Sequence, residues 1–76
     1  MSQFASTLYP QTNPSNPILL AFRAERNYYP SVGAAARDWL SCWAALRAHD
    51  STFRSATLAQ KHHALRVVRR LARFSG

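Results

Sequence analysis

Ser55-Ala56-Thr57-Leu58-Ala59-Gln60-Lys61-His62-His63-Ala64-Leu65-Arg66-Val67-Val68-Arg69-Arg70-Leu71-Ala72-Arg73-Phe74 holds five basic residues, two histidines and no acid. Wound at about 100° per residue, this stretch divides into two faces. His62, His63, Arg66, Arg69, Arg70 and Arg73 fall inside an arc of roughly 120°. Leu58, Leu65, Val67, Val68, Leu71, Ala72 and Phe74 cover most of the remainder. A segment divided in this way is an amphipathic helix, with one side for a core and the other for water or an anionic partner. The apolar side needs a neighbouring element to cover it, and the preceding residues supply one.

Ser31 is a capping residue, and Val32, Ala36, Trp39, Leu40, Trp43 and Leu46 recur at three- and four-residue steps after it. One helix from Val32 to about Ala48 is expected, with Cys42 bordering its buried stripe. The opposite side is small, with Ala34, Ser41, Ala45 and Ala48. Such a face is either exposed alanine, which helices tolerate well, or room for a close second contact. His49-Asp50-Ser51-Thr52 reads as a polar break, with Thr52 or Ser55 capping the helix beyond it. Two helices joined by so short a link fold back antiparallel.

Asn16-Pro17 starts a shorter helix, with a capping side chain followed by proline at the first helical position. Ile18, Leu19 and Phe22 lie on one side of it, Arg23 and Arg26 on the other. Tyr28-Tyr29-Pro30 ends it, because the residue before a proline disfavours helical torsions. Residues 1–16 show no helical period; Pro10 and Pro14 stand among Ser, Thr, Gln and Asn. This arm is either a floppy terminus or an extended strap docking Phe4, Leu8 and Tyr9 on a neighbouring surface. The expected fold is all-α: a small helical hairpin or three-helix bundle over 17–76, with helices at about 17–27, 32–48 and 55–74 and an extended N-terminal arm.

Composition narrows the function. A chain of 76 residues with 47% hydrophobic content is too apolar for disorder, yet near the size where one core supplies only a few kcal/mol. Its one cysteine, Cys42, forms no internal disulfide, and no paired Cys/His spacing indicates structural zinc. A homo-oligomer or a place in a larger complex is therefore expected. The longest apolar run, Ile18 to Phe22, is far short of a membrane span, and no basic residue precedes Arg23 to make a signal peptide. No membrane partner and a cytoplasmic location are the default expectations.

The net charge is +7, and nine of the ten cations are arginine, whose planar fork suits phosphate and carboxylate. All three acids lie in the first 50 residues, so the last 26 carry six cations and no anion. Without a carboxylate one turn away, the arginines of the last helix repel one another uncompensated. An anionic surface, above all a phosphate backbone, is the partner expected for Arg66, Arg69, Arg70 and Arg73. His62 and His63 add polar contacts within that face, and Lys61, Arg23 and Arg26 are auxiliary. Adjacent histidines diverge by about 100° on a helix, which makes them poor joint metal ligands. Trp39 and Trp43 belong to the core rather than to a base-stacking platform, whereas Tyr28 and Tyr29, beside Arg26, are the better exposed aromatics.

Catalysis is not expected. Glu25, Asp38 and Asp50 are each more than ten residues apart, and with only Gly33 and Gly76 there is no glycine-rich phosphate loop. Neither a cofactor nor a small-molecule substrate is indicated.

From Ile18 onward the chain resembles the N-terminal core-binding domain of tyrosine recombinases and phage integrases. The resemblance rests on Phe22-Arg23-Ala24-Glu25-Arg26, on Tyr29-Pro30-Ser31 opening a long helix, and on Ser55-Ala56-Thr57-Leu58 leading into Ala64-Leu65-Arg66-Val67-Val68-Arg69-Arg70-Leu71-Ala72-Arg73-Phe74. It covers about three quarters of the chain and implies a SAM-like helical domain whose helices embrace duplex DNA. His63-Ala64-Leu65-Arg66 coincides with the family's His-x-Leu-Arg box, but that box belongs to a catalytic domain with no counterpart here, so strand cleavage is not implied.

Taken together, the residues describe a small basic, non-enzymatic protein that docks an arginine-rich helix on nucleic acid or a nucleoprotein. The alternative is an inhibitor or adaptor of the phage or mobile-element kind, binding an acidic protein surface of a host protein. A subunit of an assembly facing structural nucleic acid is a third reading.

Overall fold

The computed structural model describes residues 16–75, so Phe4, Leu8 and Tyr9 of the expected arm lie outside the described residues. Helix α1, Pro17–Glu25, begins where Asn16 Oδ1 accepts the backbone N–H groups of Ile18 (3.1 Å) and Leu19 (3.4 Å). The same side chain is buried because its Nδ2 donates to the Gln60 carbonyl at 3.0 Å, tying the start of α1 to the last helix. A single 3₁₀ turn, Arg26–Tyr28, extends α1 until Tyr29 turns extended ahead of Pro30.

Helix α2, Val32–Ser41, is capped as expected, by Ser31 Oγ accepting from Ala34 N–H at 3.1 Å. It does not run on to Ala48. The chain breaks at Cys42 (φ −109°, ψ 18°) and resumes as α3, Trp43–His49. Three donors converge on the Asp38 carbonyl: the Cys42 N–H at 3.2 Å, the Ser41 hydroxyl at 2.8 Å and the Cys42 thiol at 3.1 Å. Side-chain back-bonding of this kind competes with the helical ladder and bends it.

A further helix, α4, Ser51–Ser55, begins inside the expected polar break at 49–52 and runs past it, started by Asp50 Oδ1 accepting from Thr52 N–H at 2.8 Å. The last helix, α5, is Leu58–Leu71, three residues shorter at each end than 55–74. Its start is set by neither Thr52 nor Ser55. Thr57 and Gln60 form a reciprocal capping box, with Gln60 N–H donating to Thr57 Oγ1 (3.1 Å) and Thr57 N–H to Gln60 Oε1 (2.9 Å). At its other end the backbone tightens, as Arg73 N–H donates to Arg70 O and Phe74 N–H to Leu71 O. Arg37 then closes the end, its Nη1 donating to the carbonyls of Ala72 (3.0 Å) and Phe74 (3.2 Å). A cation placed there also complements the helix dipole.

Helices α2 and α5 pack antiparallel. Gly33 meets Phe74 at one end, and at the other Trp43 and Arg47 of α3 line a groove in common with Leu58, Lys61 and Leu65. Alanines at the contact (Ala35, Ala36 and Ala64, all buried) let the two rods lie close. Helix α1 covers the open side of this hairpin through Ile18 and Phe22. The centre is aromatic: Phe22 stands edge-on to Trp39 (5.2 Å), and Trp39 and Trp43 both pack on Phe53 (5.8 and 5.1 Å). Phe53, 1% exposed, lies between the expected polar break and the expected start of the last helix, while Val32, Leu40 and Leu46 of the expected stripe are only half-buried. The fold is all-α, with five helices and no strand among the described residues.

Candidate nucleic-acid interface

The buried side of α5 is narrow. Ala64 and Val68 reach the core, Leu65, Val67, Leu71 and Ala72 are half-buried, and Leu58 and Phe74 are exposed. Opposite them Arg66, Arg69, Arg70 and Arg73 are all exposed, as are His62 and His63. The rod that carries them is held at both ends, by the Thr57–Gln60 box with Asn16 on Gln60 and by Arg37 at the last carbonyls. Arg66, Arg69 and Arg70 therefore ride on a fixed rod, whereas Arg73, expected inside the helix, falls in the tightened turn beyond Leu71.

Three shallow surface depressions run along this side and share residues. Arg66, Arg69, Arg70 and Arg73 line one. His62 and Leu65 join Arg66 and Arg69 in the next. His62 and Leu65 then recur with Trp43, Arg47, Leu58 and Lys61 around a groove of about 130 Å³ between α3 and α5. The track begins at an aromatic, apolar mouth and continues onto arginines. His63 is exposed but lines none of the three, and Arg23 and Arg26, exposed on α1 and its 3₁₀ turn, do not line them either.

The carboxylates do not neutralise this track. Glu25 Oε1 accepts from Trp39 Nε1 at 3.1 Å, Asp38 Oδ2 accepts from the Tyr29 hydroxyl at 2.6 Å, and Asp50 caps α4. Each thus has a partner outside α5. The bond to Asp38 pushes the Tyr29 hydroxyl up to about 12, with burial and the Asp38 charge adding to it. Of the tyrosine pair, then, Tyr29 is engaged internally, and Tyr28, 85% exposed, is free to touch a partner. Burial first, and then the Asp38 charge, raise the Cys42 thiol, which keeps it protonated at neutral pH and a poor nucleophile. Among the described residues no group of three or more His, Cys, Asp or Glu is placed to hold a metal ion. No helix among them is long and apolar enough to cross a membrane.

Two members of the track escape a reading of the sequence. Arg47 sits on a different helix from the basic stripe, and only the tertiary fold brings it to the groove that Lys61 and His62 also line. Trp43 parts from Trp39 because of the Cys42 break: Trp39 is 3% exposed, whereas Trp43 is half-buried and forms a wall of the groove. Fold and surface together define a small all-α domain with a cationic helix displayed along one side. Comparison with family models, curated proteins and solved structures finds no match to this chain.

Proposed function

We propose that this is a non-enzymatic nucleic-acid-binding protein that lays α5 along a phosphate backbone. The observation that carries this reading is the exposure of Arg66, Arg69 and Arg70 on one side of a helix fixed at both ends, with Arg73 exposed in the turn that follows, while the Glu25, Asp38 and Asp50 carboxylates are engaged elsewhere. Guanidinium groups in that arrangement match phosphates without needing base contacts. The only amide side chain on α5, Gln60, belongs to the capping box, so base-edge readout is weak and sequence preference slight.

Neutralising about four phosphates gives a log–log salt slope near −3.6, roughly a 150-fold loss of affinity between 50 and 200 mM salt. Fluorescence anisotropy with a labelled random-sequence oligonucleotide at several salt concentrations measures it. Charge reversal of Arg69 and Arg70 to glutamate abolishes binding while helicity by circular dichroism stays. Flat anisotropy at low salt, or collapse of helicity in the charge-reversed variant, would refute the assignment.

A further inference from the structure

We infer that the groove between α3 and α5 receives an unstacked base, which makes single-stranded rather than duplex nucleic acid the preferred ligand of the arginine track. This rests on the nucleic-acid reading above and narrows its substrate class. The groove is unlike the rest of the track. Three apolar side chains, Trp43, Leu58 and Leu65, line it together with Arg47, Lys61 and His62. Leu58 is 67% exposed at the first position of α5, where an acidic residue would suit the helix better. Trp43 is braced edge-on by Phe53 (5.1 Å, 83° between planes), so its orientation is set before any ligand arrives.

Apolar lining groups gain nothing from a phosphate, and cationic ones gain nothing from an uncharged apolar ligand. A nucleotide joins the two requirements, a planar neutral face next to a negative linkage. In a duplex those faces are stacked against one another; in a single strand they are available, and stacking on aromatic side chains beside a positive groove is how such strands are held. The track continues from the groove through His62, Leu65, Arg66 and Arg69 to Arg70 and Arg73, so phosphates on one side of the inserted base meet arginines in succession. From Leu58 to Leu71 the helix rises roughly 20 Å at 1.5 Å per residue, which suits a short site at the lower end of the ~4–16 nucleotides one small domain covers. The groove's volume of about 130 Å³ and its open mouth are too small to enclose a free metabolite.

Charge alone predicts the opposite preference, because a duplex has the higher linear charge density. That contrast makes the inference testable on the full-length protein. A labelled mixed-sequence single strand of about 12 nucleotides, within the usual span of such sites, and its blunt duplex are titrated by anisotropy at 50 and 200 mM salt with tryptophan emission followed in parallel. The expected result is single-strand binding at least about five-fold tighter than duplex binding, accompanied by quenching of tryptophan emission. In Trp43→Phe the quench disappears, because the remaining Trp39 is buried, while the ring still packs on Phe53. Leu58→Ala, at an exposed position that the fold tolerates, weakens single-strand binding and leaves duplex binding unchanged.

Equal or tighter duplex binding with no quench overturns the groove assignment and leaves the arginine reading intact. Binding of neither oligonucleotide at low salt removes both. Tighter binding of a synthetic peptide alternating glutamate and leucine, with the same Trp43 quench, overturns the inference and assigns the groove to a protein partner.

Discussion

Replacing Gly33 by alanine reverses the sign of its effect on stability according to whether the last three residues are present. A Cβ built at Gly33 collides with the Phe74 carbonyl, and backbone atoms have no side-chain rotation to relieve the overlap. In the full chain the C-terminal segment has to move. It then gives up the bond from Arg37 Nη1 to the Phe74 carbonyl, about 1 kcal/mol, and the half-covered Phe74 ring, about another 1 kcal/mol. Against this, alanine in place of glycine in a helix gains roughly 0.5–1 kcal/mol. The net is a destabilisation of about 1 kcal/mol, or some 4–8 °C in melting temperature for a domain of this size. In a chain ending at Arg73 the backbone obstruction is gone. The remaining close neighbour is Arg37 Nη1 at 3.2 Å, the end of a flexible exposed side chain that gives by a few tenths of an ångström. The helical gain therefore dominates, and Gly33→Ala raises the melting temperature. Thermal unfolding followed by circular dichroism on the four proteins of this cycle measures the coupling. The same shift, with the same sign, in both backgrounds would show that the end of α5 is not seated on α2.

Phe53→Ala removes the ring on which Trp39 and Trp43 both pack and costs about 3–5 kcal/mol. A chain of this length holds only about 4–11 kcal/mol in total, so denaturant melts should find the variant marginal or unfolded, and a loss under 1 kcal/mol would contradict the packing. The raised Tyr29 hydroxyl predicts alkaline sensitivity. Its contribution is fully present below pH about 10, the ordinary tyrosine range, and is lost as pH climbs toward about 12, the folded value. Absorbance titration at the phenolate band should show a late-ionising component that is absent from Tyr29→Phe, whose stability falls less in that window. Asn16→Ala removes the cap of α1 and the bond to the Gln60 carbonyl together, so its loss in chemical melts should exceed the ~1 kcal/mol of an ordinary cap. Single replacement of Arg69 by alanine should flatten the salt slope by about 0.9 on a duplex, or about 0.7 on a single strand, without altering helicity.

Much of the fold can be read locally. Asn16-Pro17 and Ser31 start α1 and α2 where their capping chemistry places them, and Tyr29-Pro30 separates the two for reasons confined to a dipeptide. The misplaced boundaries share a different origin. The break at Cys42 depends on three donors meeting at one carbonyl, and the start of α5 at Leu58 on a reciprocal box that outcompetes the nearer serine and threonine. Both patterns lie in the sequence, but apolar spacing does not reveal which one the backbone adopts.

Periodicity decided by itself that this protein has a two-faced C-terminal helix, with Arg66, Arg69 and Arg70 on one arc, because the angle between residues on a helix is the same wherever the helix sits. What stands against each face is a property of the assembled chain. Tertiary packing alone drew Phe53 out of a polar segment into the centre, gave Gly33 a carbonyl to accommodate, and set Arg47 and Trp43 beside Lys61. Such meetings join residues distant along the chain, and the spacing of neighbours holds no record of them.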